Sequence, residues 1–105
     1  MRKRSEHVTF VGGHERVERE IVSCGARLGI EVEVHNGHTS GNGAGRLVAL
    51  VHRTDVVVIV TGTNSHNAVQ IAKREAAKTG ALVRIVKACG ARTARDLLTQ
   101  IAAGD

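Results

Sequence analysis

Histidines are the residues of this sequence whose side chains offer the most chemistry. The chain has six of them. Four follow short runs of apolar β-forming residues, namely His14, His35, His38 and His66. A neutral imidazole can bind a metal ion, and its pKa near neutrality also suits proton transfer. Which chemistry is available depends on whether the fold brings these four positions together.

His66 lies in the segment VTGTNSHNAV, residues 60–69, between an apolar run and a helical pattern. Asn64 or Ser65 can cap that helix by accepting hydrogen bonds from its first backbone N–H groups. His66 then occupies the first turn, where the helix dipole disfavours a cation and a neutral imidazole can act as a metal ligand. The alternative, an ordinary first-turn histidine, stays open.

Two shorter motifs are compatible with ligand binding. Gly12, Gly13 and His14 form a glycine turn after the first apolar run, but they lack the G-x-G-x-x-G spacing of a dinucleotide-binding loop. His35 and His38 have an H-x-x-H spacing that could hold zinc. Exposed loop histidines would give the same spacing.

The composition is that of one globular domain, predicted over residues 1–105 with residues 1–6 as a flexible basic N-terminus. Fifteen basic and ten acidic residues give a net charge of +5, which favours anionic partners. No apolar run could cross a bilayer, and no apolar signal region follows the basic N-terminus. We therefore expect a cytoplasmic protein, in which Cys24 and Cys89 are free thiols.

Strand-like and helix-like segments alternate four times along the chain. They are predicted, in chain order, at 7–12, 14–28, 30–34, 47–53, 55–60, 66–78, 82–86 and in a last helix that Thr93 can cap. This alternation predicts an α/β domain of the small Rossmann-like or flavodoxin-like type. Its four-stranded parallel sheet is predicted to have the strand order 2-1-3-4.

In such folds ligands bind beyond the carboxyl ends of the strands, near the point where the strand order reverses. That edge would collect the loops that carry the histidines, so we expect a site formed by His66 with His14 or His35. An enzyme could use His14 as an acid–base group and the glycine turns as an anion cradle. The sequence supplies no convincing nucleophile, however, and we expect a non-enzymatic domain.

A family resemblance rests on two long segments. They are FVGGHERVEREIVSCGARLGIEVEVHNG at 10–37 and DVVVIVTGTNSHNAVQIAKREAAKTGALVRIVKACG at 55–90. In the order and spacing of their motifs, from about Val8 to Leu98, the chain resembles the bacterial domain of unknown function family 2325. The residues that match the family pattern are His14, His35, His66 and Lys73. Gly62-Thr63-Asn64 replaces the acidic or cysteine-containing approach to the S-H motif that is frequent in the family.

The resemblance implies a small Rossmann-like domain that forms a homodimer, with haem binding and oxygen or redox sensing in some members. We therefore expect a ligand-binding or sensory domain in which His66 ligates haem iron. The propionates would pair with Arg16, Arg46 or Lys73, and the same site would include Gly12, Gly13 and Ser65. A zinc site or a small-anion site is the alternative, and the ligand sensed could be a small molecule or a gas.

A weak nucleic-acid-binding module is a further alternative, because the charge of +5 supports salt-sensitive phosphate contacts. The absence of Tyr and Trp removes most stacking partners for bases, and no predicted helix has a dense basic face. We therefore expect neither nucleic acid nor a membrane as partner. Four strands leave two sheet edges, which proteins usually pair or cover, and this favours a homodimer.

Overall fold

The computed structural model describes residues 6–12, 15–62 and 65–104. The elements are, in chain order, β1 (Glu6–Val11), α1 (Glu15–Arg27), β2 (Ile30–His35), α2 (Gly43–His52), β3 (Val56–Val60), α3 (His66–Thr79), β4 (Leu82–Val86) and α4 (Ala91–Ala102). The predicted alternation of strands and helices is confirmed. Glu6, predicted as the end of a flexible N-terminus, is the first residue of β1 and aligns with Ile30 of β2.

The strands form one parallel sheet in the order β2-β1-β3-β4, as the sequence predicts for a small Rossmann-like or flavodoxin-like domain. All five residues of β3 are buried. Their unbroken β-branched run suits an interior parallel strand, because both faces of such a strand are covered by helices. The two edges of the sheet are β2 and β4, and they differ strongly in side-chain chemistry.

Helices cover both faces of the sheet and enclose two cores. Helices α1 and α4 pack together on one face, and α2 and α3 pack together on the other. Phe10, Ile21 and Leu98 belong to the core under α1 and α4. Ile59 and Ile71 belong to the core under α2 and α3. No helix within the described ranges has the length and apolar character that crossing a membrane requires.

Gly25 allows α1 to lie close to β2. A Cβ atom at this buried position would clash with the side chain of Val32 and would lie 3.1 Å from the carbonyl oxygen of Ile30. Replacing Gly25 with alanine is therefore expected to lower the free energy of unfolding by about 1–3 kcal/mol, the usual cost of overpacking. Urea denaturation measures this change.

Gly45→Ala is the matched control for that prediction. Gly45 also lies inside a helix, but apart from its chain neighbours and the backbone of its own helix no described atom is within 4 Å of a Cβ added there. Because alanine favours the helix more than glycine does, this variant should be more stable by up to about 1 kcal/mol. A Gly25→Ala protein that gained stability in the same way would show that α1 does not need the close approach.

Helix α3 begins and ends with the predicted caps. Ser65 accepts a hydrogen bond from the backbone N–H of Ala68 at 3.0 Å, and Gly80 closes the helix with a φ of +79°. Helix α4 begins earlier than predicted, at Ala91. The predicted cap Thr93 is therefore wrong, and this residue lies inside the first turn.

Candidate functional site

The candidate site lies at the carboxyl ends of the strands, where sheet-like hydrogen bonds continue into the loops. Gly12 has a φ of +90° and donates its backbone N–H to the carbonyl oxygen of His35 at 2.8 Å. Beyond β3, Gly62 donates its N–H to the carbonyl oxygen of Lys87 at 2.8 Å. Because the strand order reverses between β1 and β3, the loops that follow these two strands border the crevice where ligands of such folds bind.

Some residues of the predicted site lie outside the described residues. They are Gly13 and His14, which follow β1 in the sequence, and also Thr63 and Asn64, which follow β3. Arg16 belongs to α1, but its side chain is outside the described part of the chain. The roles assigned to Gly13, His14 and Arg16 stay predictions.

Two hydrogen bonds fasten the loop after β2 to the start of α3. The hydroxyl of Ser65 donates to the carbonyl oxygen of Gly37 at 2.7 Å, while it also caps α3. The side-chain amide of Asn67 donates to the hydroxyl of Thr39 at 3.0 Å. Ser65 therefore stabilises two features, since it caps the first turn of α3 and holds the neighbouring loop against that helix.

His66 lies between the two residues that make these bonds, and it is exposed at the first position of α3. Its imidazole has no hydrogen-bond or ion-pair partner among the described residues. His38, also exposed, lies between Gly37 and Thr39 on the facing loop. The structure thus places His38, rather than His35, on the segment that is bonded to the residues flanking His66.

His35 is buried, and both of its ring nitrogens are occupied by backbone groups. Nδ1 accepts the N–H of Gly37 at 3.0 Å, so Nε2 must carry the proton and donate to the carbonyl oxygen of Gly43 at 2.9 Å. Burial lowers the pKa of this imidazole. His35 is therefore held as one neutral tautomer, and binding a metal would require it to give up one of these hydrogen bonds.

The lowered pKa of His35 makes stability depend on pH. A histidine with a usual pKa of 6.5 binds a proton more readily in the unfolded chain than in the folded one. Its contribution is therefore fully present above about pH 6.5 and is lost as the pH falls towards the folded-state pKa, by at most about 1.4 kcal/mol per pH unit. Urea denaturation from pH 8 to pH 5 should show this loss.

His35→Gln provides the comparison for the pH experiment. Glutamine offers an acceptor and a donor but does not titrate, so the difference in stability between wild type and variant should shrink as the pH falls below about 6.5. Other titrating groups are common to both proteins and cancel in this difference. A constant difference across the range would contradict the buried neutral state of His35.

Two exposed cations lie on the same helical layer as His66. Lys73 is on α3, about 10 Å along the helix from His66. Arg46 is on α2, close enough to lower the pKa of His35 further through its charge. Either cation could pair with an anionic group of a ligand held at His66.

Within the described residues, no group of three or more His, Cys, Asp or Glu side chains could hold a metal ion.

The remaining two histidines contact carboxylates away from the carboxyl edge. The imidazole of His7 lies 2.7 Å from the carboxylate of Glu33 on β2. The pKa of Glu33 is lowered, mainly because its carboxylate accepts hydrogen bonds from Arg53. His52 lies 2.6 Å from the buried carboxylate of Glu75. That bond, with further bonds from Arg74 and Lys78, lowers the pKa of Glu75 to about 2.

The structure also reveals a groove that the sequence analysis missed. It lies between α1 and α4, on the opposite face of the sheet from His66, and four arginines contribute to its walls. The only sequence signal was the spacing of arginines within each helix. No pattern in the sequence predicts that α1 and α4, which are far apart along the chain, would lie side by side.

Comparisons with known proteins bear on most of the chain. A family model described as "Uncharacterized protein conserved in bacteria (DUF2325)" matches residues 7–101. No curated protein and no solved structure gives a match. The matched range contains every described strand and helix except the first residue of β1 and the last residue of α4.

Proposed function

We propose that this protein, which belongs to the bacterial family DUF2325, is a non-enzymatic ligand-binding or sensory domain that coordinates haem or zinc through His66. The single observation that carries the proposal is the setting of His66. Its imidazole is exposed at the start of α3, while Ser65 and Asn67 on either side hold the backbone in place. A ligand residue held by its neighbours binds metal with little loss of conformational entropy.

Zinc fits the described residues better than haem does. His38 lies on the loop segment that faces His66, and zinc accepts neutral imidazoles in tetrahedral sites. Two imidazoles are an incomplete set, so the proposed site takes its remaining ligands from His14, from water or from a second copy. When bound, haem would supply a position for a gas or a change of redox state, whereas zinc would supply a fixed charge.

The described surroundings of His66 do not enclose a porphyrin. The residues that connect the loop to α3 are Gly37, Thr39, Ser65 and Asn67, which offer no large apolar side chain. A porphyrin needs an apolar pocket. Haem bound through His66 would therefore need cover from a second copy or from residues outside the described part, with Lys73 or Arg46 pairing with its propionates.

The test is to titrate the purified protein separately with haemin and with zinc. With Phe10 as the only Phe, Tyr or Trp residue, the protein hardly absorbs in the near ultraviolet, so a cofactor spectrum is easily seen. Metal content after dialysis measures zinc. If the wild-type protein bound neither haemin nor zinc, the proposed function would be wrong.

The proposed unit is a homodimer joined at the edge strand β4. Three residues of this strand are exposed apolar side chains, with Leu82 at 60%, Val83 at 38% and Ile85 at 54% of full exposure. Leu82 donates its N–H to the carbonyl oxygen of Asp55, the residue before β3, and Val86 accepts from the N–H of Thr61, the residue after β3. By alternation, the backbone groups of Val83 and Ile85 point away from the sheet, where a second strand could pair with them.

The opposite edge is chemically unsuited to pairing. On β2, Glu31 is exposed, and Glu33 is bonded to Arg53 and His7. Charged side chains on an edge strand discourage the approach of another strand. The contrast between a charged β2 and an apolar β4 supports the choice of β4 as the dimer edge.

A further inference from the structure

The groove between α1 and α4 is a cavity with a volume of about 730 Å³. It lies on the face of the sheet opposite α2 and α3. This volume is within the range of about 300–1,000 Å³ that small-molecule sites occupy. Nothing in the proposed role of His66 uses this groove, so it needs an explanation of its own.

The charge of the groove is strongly positive. Arg19 and Arg27 of α1 and Arg92 and Arg95 of α4 line it, and Glu20 is the one acidic residue among the lining side chains. Four positive charges and one negative charge leave a local excess of three. Among the described residues, no carboxylate forms an ion pair with any of the four guanidinium groups. Arginines that line one cavity raise its positive potential and attract an anion to it.

The arginines are also arranged for phosphate groups. Arg92 and Arg95 are three residues apart on α4, so they project from neighbouring positions on one helix face. Arg19 and Arg27 are two helical turns apart, about 12 Å along α1. Guanidinium groups bind phosphate oxygens through paired hydrogen bonds, which makes arginine the preferred partner where such recognition is needed.

The rest of the lining is neutral and partly apolar. Cys24 and Leu28 of the α1 side and Ala91 of α4 contribute to it. An anionic polymer would not need these apolar contacts. Bases of a single strand would need aromatic side chains to stack on, but Phe10, the only Phe, Tyr or Trp residue, is buried. The combination favours a small ligand with phosphate groups and a neutral organic part.

We propose that the α1/α4 groove is a binding site for a small organic phosphate of about nucleotide size. The phosphate groups are held by Arg92 and Arg95 at the start of α4 and by Arg19 of α1. The organic part lies on the neutral lining near Cys24 and Leu28. This site is separate from His66, on the other face of the sheet.

Calorimetric titration with ATP, without added magnesium, tests the proposal at low ionic strength. The variant Arg92→Gln/Arg95→Gln should bind ATP at least about tenfold more weakly, because it loses charge-assisted hydrogen bonds. The control Lys78→Gln/Lys87→Gln removes the same charge at exposed positions outside the groove. It should bind ATP with an affinity within about twofold of wild type. Equal weakening by both variants would mean that net charge alone attracts ATP, and this would overturn the proposed site.

Cys24 provides a second measurement, besides the affinity for ATP, that reports on the groove itself. Its partly exposed thiol lines the groove, whereas Cys89 is buried and burial raises the pKa of its thiol. Alkylation by iodoacetamide should therefore modify Cys24 first. Saturating ATP should slow this modification several-fold, and Cys24→Ser identifies the reacting site in the mass spectrum. Unchanged alkylation of Cys24 at saturating ATP would place the ligand elsewhere and overturn the proposal.

Two further probes distinguish the ligand class. Pyrophosphate should bind more weakly than ATP, since it lacks the organic part. A short single-stranded oligonucleotide that bound tightly, while ATP did not bind, would replace the small phosphate with a nucleic acid and overturn the proposal. ATP should bind the His66→Ala variant as tightly as it binds wild type. The outcome of the ATP experiment therefore does not depend on whether His66 binds a metal or haem.

Discussion

If haem is the ligand, haemin added to the wild-type protein is expected to give a sharp Soret band, which the His66→Ala variant is expected to lack. The reason is that His66 has an exposed imidazole without a described partner, so its removal deletes the proposed ligand and leaves the fold intact. The helix cap is unaffected, because Ser65 supplies it. Absorption spectra of both proteins, recorded at equal haemin concentration, measure the effect.

The same pair of proteins distinguishes haem from zinc. If zinc is the ligand, neither protein gives a haem spectrum, and His66→Ala should bind zinc at least about 100-fold more weakly, since even changes beyond the direct ligands cost 10–100-fold. His38→Ala should weaken zinc binding as well. His52→Gln is the matched control, because it removes an imidazole that pairs with Glu75 on the same layer. Unchanged binding in His66→Ala would exclude His66 from either site.

The fold could be predicted because local patterns and chirality leave few choices. Apolar β-branched runs define the strands, and amphipathic segments define the helices. Right-handed crossovers leave a small number of strand orders, and the predicted order among them is the one observed. Helix ends were less predictable. The helix predicted over 14–28 ends at Arg27 in the structure, and Leu28 is 37% exposed. The buried residue of that turn is Gly25, whose role depends on contact with β2.

Only those features of the candidate site that depend on residues close together in the sequence could be predicted. The cap at Ser65 and the position of His66 follow from sequence near the helix start. The bond from Ser65 to Gly37 spans 28 residues and has no local signal. For the same reason the sequence favoured His35 over His38. The structure shows that backbone groups of Gly37 and Gly43 occupy both nitrogens of His35, whereas His38 is exposed.

Replacing Ile85 with lysine is expected to convert a dimer into a monomer. Ile85 is 54% exposed at the centre of the proposed β4 interface, where a two-fold axis would bring the two copies of its side chain together. Two lysines facing each other would repel, and charged residues on an edge strand oppose pairing. Light scattering at micromolar concentration measures the mass of each protein.

Val22→Lys is the control for that experiment. Val22 is an exposed apolar residue of α1, and the variant carries the same added charge away from β4. It should remain a dimer. A wild-type protein of monomer mass would contradict the proposed interface, and so would a dimer that survives in Ile85→Lys.

The register of the pairing can be tested with a cysteine. An antiparallel pair centred on Arg84 would place two arginines directly opposite each other, which is unfavourable. A pair centred on Ile85 avoids this and brings its two Cα atoms to about 5.5 Å, within disulfide range. In a Cys24→Ser background, Ile85→Cys should therefore form a cross-linked dimer on mild oxidation. Arg84→Cys should not form this dimer, and cross-linking of Arg84→Cys instead would show that the two strands pair in the register that places the arginines together.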